Sequence, residues 1–250
     1  MMPAMLPTAA ILLFACASSH PRTLVVTGTR DDWIPALGAV GIEPARQVDG
    51  TDPDELLDLL LDPDRLARFD LIAVAGGFVE AGIVDPAAGG DLADSEQALA
   101  NLRAFVADGG DLLVSDQGYD LVERGWPDAL DFVGDDLELD AAQAGEAATI
   151  NAGVKDTSLA NWLEADYLDL VFPQSSWAPI LSADGTTGVH LSGAVRYDEG
   201  AGAAELPVSP LLASLRPVDE GGIVAYFAWP AGQDESEVSV EVVRYMLLRL

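Results

Sequence analysis

The chain is short of every residue that metal and thiol chemistry rely on. It holds one cysteine, Cys16, and two histidines, His20 and His190. One cysteine cannot form an intrachain disulfide. Nor can this set build the usual zinc sites, which take four cysteines, two cysteines with two histidines, or three histidines. Oxygen-only sites for calcium or magnesium stay open, but no metal and no cofactor is expected. Cations are scarce too: Lys155 is the single lysine, and Lys plus Arg total 12 against 42 Asp plus Glu, a formal net charge of −30. Nucleic-acid binding depends on clustered Lys and Arg displacing counterions, so no nucleic-acid partner is expected. Anionic lipid headgroups are disfavoured for the same reason. No apolar run reaches the roughly 20 residues needed to span a bilayer.

What is present is a core. Of 250 residues, 50% are hydrophobic, which a disordered acidic tail would not be. The length suits one large domain or two small ones, and such a globule buries roughly 70–75% of its unfolded surface. Residues 1–19 carry no charged side chain. Within them Ala9-Ala10-Ile11-Leu12-Leu13-Phe14-Ala15 is a short apolar run, followed by the small residues Ala17, Ser18 and Ser19 around Cys16. That order reads as the apolar stretch and cleavage zone of an export signal. Leu13-Phe14-Ala15-Cys16 also resembles the lipobox of bacterial lipoproteins. The resemblance implies lipidation at Cys16, with anchoring to the outer or cytoplasmic membrane of a bacterial envelope and no other membrane contact. An ordinary cleaved signal and an unprocessed apolar start are the alternatives. The expected division is residues 1–19 as signal and 20–250 as one domain.

Along the mature chain, strands and helices alternate. Compact apolar runs at residues 23–27, 69–75 and 111–115, each closed by or opened from glycine or Asp, read as buried strands, and 42–48 as another. Asp31 and Asp32 open a helix to residue 40, and Asp52-Pro53 and Asp62-Pro63 open two more. Residues 78–93 read as loop, and Ser95 caps a helix through residue 106. Short helices are expected at 119–124, 126–133 and 158–163. A strand is expected at 148–150, and from Leu168 the text turns β-rich, with strands at 168–172, 178–182, 189–197, 211–215 and 223–228, a mobile hairpin tip or loop at 200–205, and a last helix from Ser236 or Glu237 to 250. The pattern predicts an α/β fold, a mostly parallel sheet with helices on both faces and a β-rich second half.

Four segments carry a further resemblance: strand Leu24-Val25-Val26; Phe69-Asp70-Leu71-Ile72-Ala73-Val74-Ala75-Gly76-Gly77; the run from Leu102 through Gly109-Gly110 to Val114; and Gly221-Gly222-Ile223-Val224-Ala225-Tyr226-Phe227-Ala228-Trp229-Pro230. Together they resemble the class I glutamine-amidotransferase-like superfamily, with its flavodoxin-like sheet. The likeness is greatest to non-catalytic members, as in trehalose-utilisation-type proteins and the substrate-binding parts of gliding and export systems. In active members a cysteine stands at the elbow after the strand at 111–115, and a histidine precedes a proline after a late strand. Here those places hold Ser115 or Asp116, and Trp229. The resemblance therefore implies a frame without its thiolate–imidazole pair, and that pair is what activates the nucleophile.

The residues leave other chemistry to weigh. Ser115, with His190 as base and Asp116 as orienting group, would form a serine hydrolase triad, although Leu113-Val114-Ser115-Asp116-Gln117-Gly118 lacks the glycine that precedes an elbow serine. Strand ends in open parallel sheets bind ligands, so Gly76, Gly77, Phe78, Ser115, Asp116, Gln117, Tyr119 and Trp229 are the candidate lining for a small polar molecule or an envelope protein partner. Gly76-Gly77 is no dinucleotide fingerprint. The Asp runs at 49–54, 62–64 and 135–140 lack EF-hand order and read as caps or a solvated face. Trp126, Trp162, Trp177 and Trp229 could face a carbohydrate or pack in the core. The expectation is a catalytically inactive binding or scaffold module.

Overall fold

The computed structural model describes residues 21–80, 83–84, 92–134, 142–200, 202–232 and 236–250. The chain runs β1 (Thr23–Thr27), α1 (Trp33–Ala39), β2 (Arg46–Asp49), α2 (Pro53–Leu60), α3 (Pro63–Leu66), β3 (Leu71–Val74), α4 (Leu92–Ala107), β4 (Asp111–Ser115), one 3-10 turn (Asp116–Gly118), α5 (Tyr119–Gly125) and β5 (Leu130–Phe132). It continues with β6 (Ala148–Val154), α6 (Thr157–Leu163), β7 (Tyr167–Phe172), β8 (Ile180–Ala183), β9 (Gly188–Asp198), β10 (Ala203–Leu215), β11 (Val224–Phe227) and α7 (Glu237–Leu247). Cys16 and the Asp run at 135–140 lie outside the described residues. Among those described, no helix is long and apolar enough to cross a membrane.

Nine strands form one sheet in the order β2-β1-β3-β4-β11-β10-β9-β6-β7, and β5 pairs with β8 apart from it. The pairs from β2 to β11 are all parallel. Those from β11 to β7 are antiparallel. This is the α/β, flavodoxin-like frame, with the β-rich second half added as an antiparallel wing. Parallel strands covered on both faces must be apolar throughout. Accordingly every residue of β3 and β11 is buried, as are Leu24, Val25 and Val26 of β1 and Leu112, Leu113 and Val114 of β4.

The faces of β11 show how the layers are filled. Phe227 meets the Trp33 ring of α1 edge-on at 5.2 Å, and Trp229 stands against Phe227 at the same separation. Tyr226 points the other way, to Phe132 of β5 at 5.5 Å. Aspartates start the helices. The side chain of Asp32 accepts from Ile34 N at 2.9 Å, Asp52 from Asp54 N at 3.1 Å, Asp62 from Arg65 N at 3.1 Å, and Asp156 from Ser158 N at 2.8 Å. Much of the two Asp runs near residues 50 and 62 is thereby spent on helix N-termini, each cap worth about 1 kcal/mol.

Four expectations need correction. Residues 126–133 are not a helix: after Trp126 caps α5, Leu130–Phe132 pairs antiparallel with β8. The helix expected from Ser95 begins at Leu92, and Ser95 is buried within it. The strand expected over 42–48 is Arg46–Asp49, displaced past Pro44, which cannot donate to a ladder. Finally, the hairpin tip expected over 200–205 joins β9 to β10, but its second half is already strand: β10 begins at Ala203 rather than 211. Its outer half alternates with solvent and carries Pro207 and Pro210, and the register shifts between Leu206 and Ser209 and between Pro210 and Leu212. Prolines break the ladder there as bulges, which hides the strand from a search for apolar runs.

One position tests the helix argument. Gly38 lies inside α1, and a Cβ added there would meet nothing within 4 Å. Gly38→Ala should raise stability by about 0.5–1 kcal/mol. Gly222→Ala, whose Cβ would fall 1.9 Å from the Gly110 carbonyl oxygen, should lower it. Urea midpoints of the two variants would check both signs.

Candidate functional site

The carboxyl ends of β1, β3, β4 and β11 converge on a single elbow. Asp116 leaves β4 with φ +51°, a left-handed conformation that non-glycine residues rarely hold. Such an outlier at a strand-to-helix junction is the geometry that presents a nucleophile. The elbow residue is therefore Asp116, not Ser115, and it presents a carboxylate. Its carbonyl accepts from the Tyr226 hydroxyl at 2.6 Å.

The elbow fits because Gly76 has no side chain. A Cβ on Gly76 would stand 2.8 Å from Gln117 N and 2.9 Å from Asp116 Cβ. The Gly76 and Gly77 carbonyls also accept from Arg30 N and Thr29 N, both at 3.1 Å. The glycine pair thus shapes the floor under the elbow and fixes the loop after β1. That loop carries Asp31, which is fully buried. The Ser115 hydroxyl donates to the Asp31 carboxylate. Asp32 N donates to it at 2.8 Å and Gly232 N at 3.3 Å. Three chain-distant loops meet on one side chain.

Burial raises the Asp116 acid from 3.8 to about 7, with the nearby Asp31 charge adding to the rise and Arg30 opposing it. The Tyr226 phenol is pushed well above its usual value, first by burial and then by Asp116. In front of Asp116 the space is nearly filled. Arg30, Phe172, Pro173, Gln174, Trp177 and Pro230 surround a void of about 10 Å³, room for about one water. The segment after β7 is held down across it: Arg30 Nη1 donates to Gln174 Oε1 at 2.7 Å, and Gln117 Nε2 to the Ser176 carbonyl at 2.9 Å. Beside it opens a shallow cleft of about 390 Å³, lined by Arg30, Gln117, Tyr119, Ser175, Ser176 and Trp177 among others.

The expected lining is thus only partly assembled. Gln117 and Tyr119 face the cleft and Asp116 borders the small void. Ser115 is fully buried. Phe78 turns into the core beside Val26, Leu56, Ile72 and Leu102. Trp229 has no exposed surface, and its indole donates to Ser239 Oγ at 3.1 Å. It is a core residue, not a cleft residue. Trp177 is also buried, and Trp162 is 43% exposed on α6. These indoles form no shared platform.

The grouping of Ser115, His190 and Asp116 does not form. His190 sits on β9, three strands from β4 in the sheet order. Its Nδ1 lies 2.9 Å from Asp156 and its Nε2 2.7 Å from Ser214 Oγ. Sequence reasoning misses Arg30, Asp31, Gln174 and Trp177 at the elbow. The signal for the first two is their place immediately after a buried strand. For Gln174 and Trp177 no local signal exists.

No protein-family model matches the sequence, and no curated protein matches it. Solved structures do. A cytoplasmic protein of Salmonella typhimurium superposes with a TM-score of 0.55 at 13% identity, covering 92% of this chain and 98% of that one. A proposed GMP synthase subunit of Thermoplasma acidophilum gives 0.53 at 9% identity, over 91% and 93%. A ThuA-like protein of Bacteroides uniformis gives 0.53 at 10%, over 98% and 94%. The chain shares the flavodoxin-like α/β fold of these structures. Identities this low speak for the fold alone, and the chemistry has to come from the site.

The raised Asp116 acid makes a signed prediction. Folded Asp116 keeps its proton up to about pH 7, whereas the unfolded chain releases it near 3.8. The stability this proton carries is complete below pH 3.8 and is lost as pH rises to 7. Asn keeps the shape, tolerates the left-handed backbone and cannot ionise. The stability advantage of Asp116→Asn over the wild type should therefore grow between pH 4 and pH 8, by at most about 4 kcal/mol. Urea denaturation of both proteins across that range would show it.

Proposed function

We propose that this protein is a binding module that retains the amidotransferase-like frame without glutaminase chemistry. The observation that carries the reading is the filled elbow. Asp116 stands where a thiol would be needed, and the void before it holds about one water. A carboxylate near its neutral form is a poor substitute for a thiolate activated by an imidazole, and His190 is engaged elsewhere.

Binding then falls to the neighbouring cleft. Gln117, Tyr119 and the Ser175-Ser176 backbone offer hydrogen bonds, and Arg30 places a positive charge at its rim. The ligand this favours is a small polar molecule, and among such molecules one bearing a carboxylate, which guanidinium groups recognise through paired hydrogen bonds. The Leu13-Phe14-Ala15-Cys16 segment supports an exported protein tethered to a bacterial envelope by lipid on Cys16. The strongly acidic exterior would keep the rest of the chain off the anionic lipid surface.

Two measurements test this reading. Thermal shift against a panel of small carboxylic acids and amino acids should give a stabilising compound, with the shift lost in Arg30→Ala and Gln117→Ala. Release of ammonia from glutamine, abolished by Asp116→Ala, would overturn the reading. Separately, the full chain expressed in a bacterium should sediment with membranes, and Cys16→Ser should move it to the soluble fraction. Equal partitioning of the two would end the anchor proposal.

A further inference from the structure

The imidazole that the elbow lacks is in use elsewhere. His190 is buried on β9, between Asp156, the N-cap of α6, and Ser214 on β10. The Asp156 carboxylate can only accept, so the 2.9 Å contact fixes the proton on Nδ1. In the neutral ring Nε2 is then an acceptor, and the Ser214 hydroxyl 2.7 Å away donates to it. Burial lowers the His190 pKa from its ordinary 6.5 despite the pull of Asp156, so the ring is neutral at pH 7. Asp156 is itself held from two further sides, by the Tyr245 hydroxyl at 3.0 Å and Arg249 Nη1 at 2.8 Å, both from α7 and its C-terminal end. Burial works against the Asp156 charge, yet the hydrogen bonds from His190, from the α6 N-terminus and from Tyr245 hold its acid below the ordinary value.

A structural histidine would need no more than this. One further observation goes beyond that need. Gly188 lies opposite Ser214 in the β9–β10 ladder and is exposed. A Cβ built on it would find His190 Nε2 at 3.8 Å and Ser214 Oγ at 3.9 Å, with only the Ser214 carbonyl oxygen nearer, at 3.6 Å. A methyl group at Gly188 would thus reach the hydroxyl–imidazole pair at ordinary contact distance, from the exposed face of the ladder.

We propose that Ser214, His190 and Asp156 form a second reactive centre, in which Ser214 is a nucleophile toward small, unhindered acyl esters and related electrophiles. Ser214 Oγ forms a bond to the acyl carbon and the ester C–O bond breaks. The hydroxyl proton passes to His190 Nε2 and on to the departing alkoxide. Water then attacks the acyl carbon, the Oγ–C bond breaks, and the proton returns to Ser214. Ser214 and His190 are the catalytic residues, and Asp156 is a positioning residue that fixes the tautomer.

The test uses the full folded chain and a fluorophosphonate probe, where the Oγ–P bond forms and P–F breaks. Peptide mapping should place the label on Ser214 and none on Ser115. His190→Gln should slow labelling by at least about a hundredfold. Gly188→Ala is the decisive variant, since its Cβ makes only ordinary contacts. It should leave the melting temperature unchanged and slow labelling severalfold by blocking the approach. p-Nitrophenyl acetate should give a burst of about one nitrophenolate per chain. No label on Ser214 in the folded wild type, or a labelling rate unchanged in both His190→Gln and Gly188→Ala, would overturn the proposal.

Discussion

The arrangement at the sheet's carboxyl end depends on one buried carboxylate. Asp31 takes hydrogen bonds from the end of β4, from its own helix start and from the loop after β11. A buried charge is costly unless hydrogen bonds satisfy it, so these loops are held in one geometry by the penalty of leaving Asp31 unsatisfied. Ser115 is consumed in that task. The strained backbone at Asp116 persists because the surroundings fix both its neighbours, Ser115 through Asp31 and Gln117 through Ser176. Backbone strain of this kind costs about 1–3 kcal/mol and survives only where surrounding structure over-determines it.

Much of the fold is legible because the central strands are buried on both faces. Residues 69–75 and 111–115 read as continuous apolar strands beside the glycine pairs Gly76-Gly77 and Gly109-Gly110, and β3 and β4 follow them closely. The wing is harder. In β10 the outer residues alternate only between exposed and half-buried as far as Pro207, and in β5 a buried-exposed-buried pattern lasts only three residues. Neither offers enough period for a helix-or-strand decision.

The site divides in the same way. Asp116, Gln117 and Tyr119 are legible because they directly follow a recognisable strand. Asp31 reads as a helix opener, but the true cap is its neighbour Asp32. Whether an aspartate faces solvent or the interior is not written in its local sequence when two stand side by side. Phe78 and Trp229 mislead for the converse reason: proximity to a strand end in sequence does not set the direction of a large apolar side chain, and the core has room for both. Gln174, Trp177 and the pairing of His190 with Ser214 depend on how the antiparallel wing folds back, which is a property of the whole topology.

The position of β11 carries a consequence for the order of assembly. It lies between β4 and β10, at the junction of the two halves of the sheet, yet it is the last strand in the chain. Its parallel partner β4 precedes it by more than a hundred residues, as Val224 pairs with Leu112. During synthesis β4 must therefore wait with one side unpaired until the β11 residues, more than a hundred positions on, have emerged, and the wing cannot be joined to the parallel half before then. Closure of so distant a contact is slow and leaves strand edges exposed meanwhile. A ribosome halted before residue 224 would hold two half-sheets with no seam, and the four residues of β11 convert them into one.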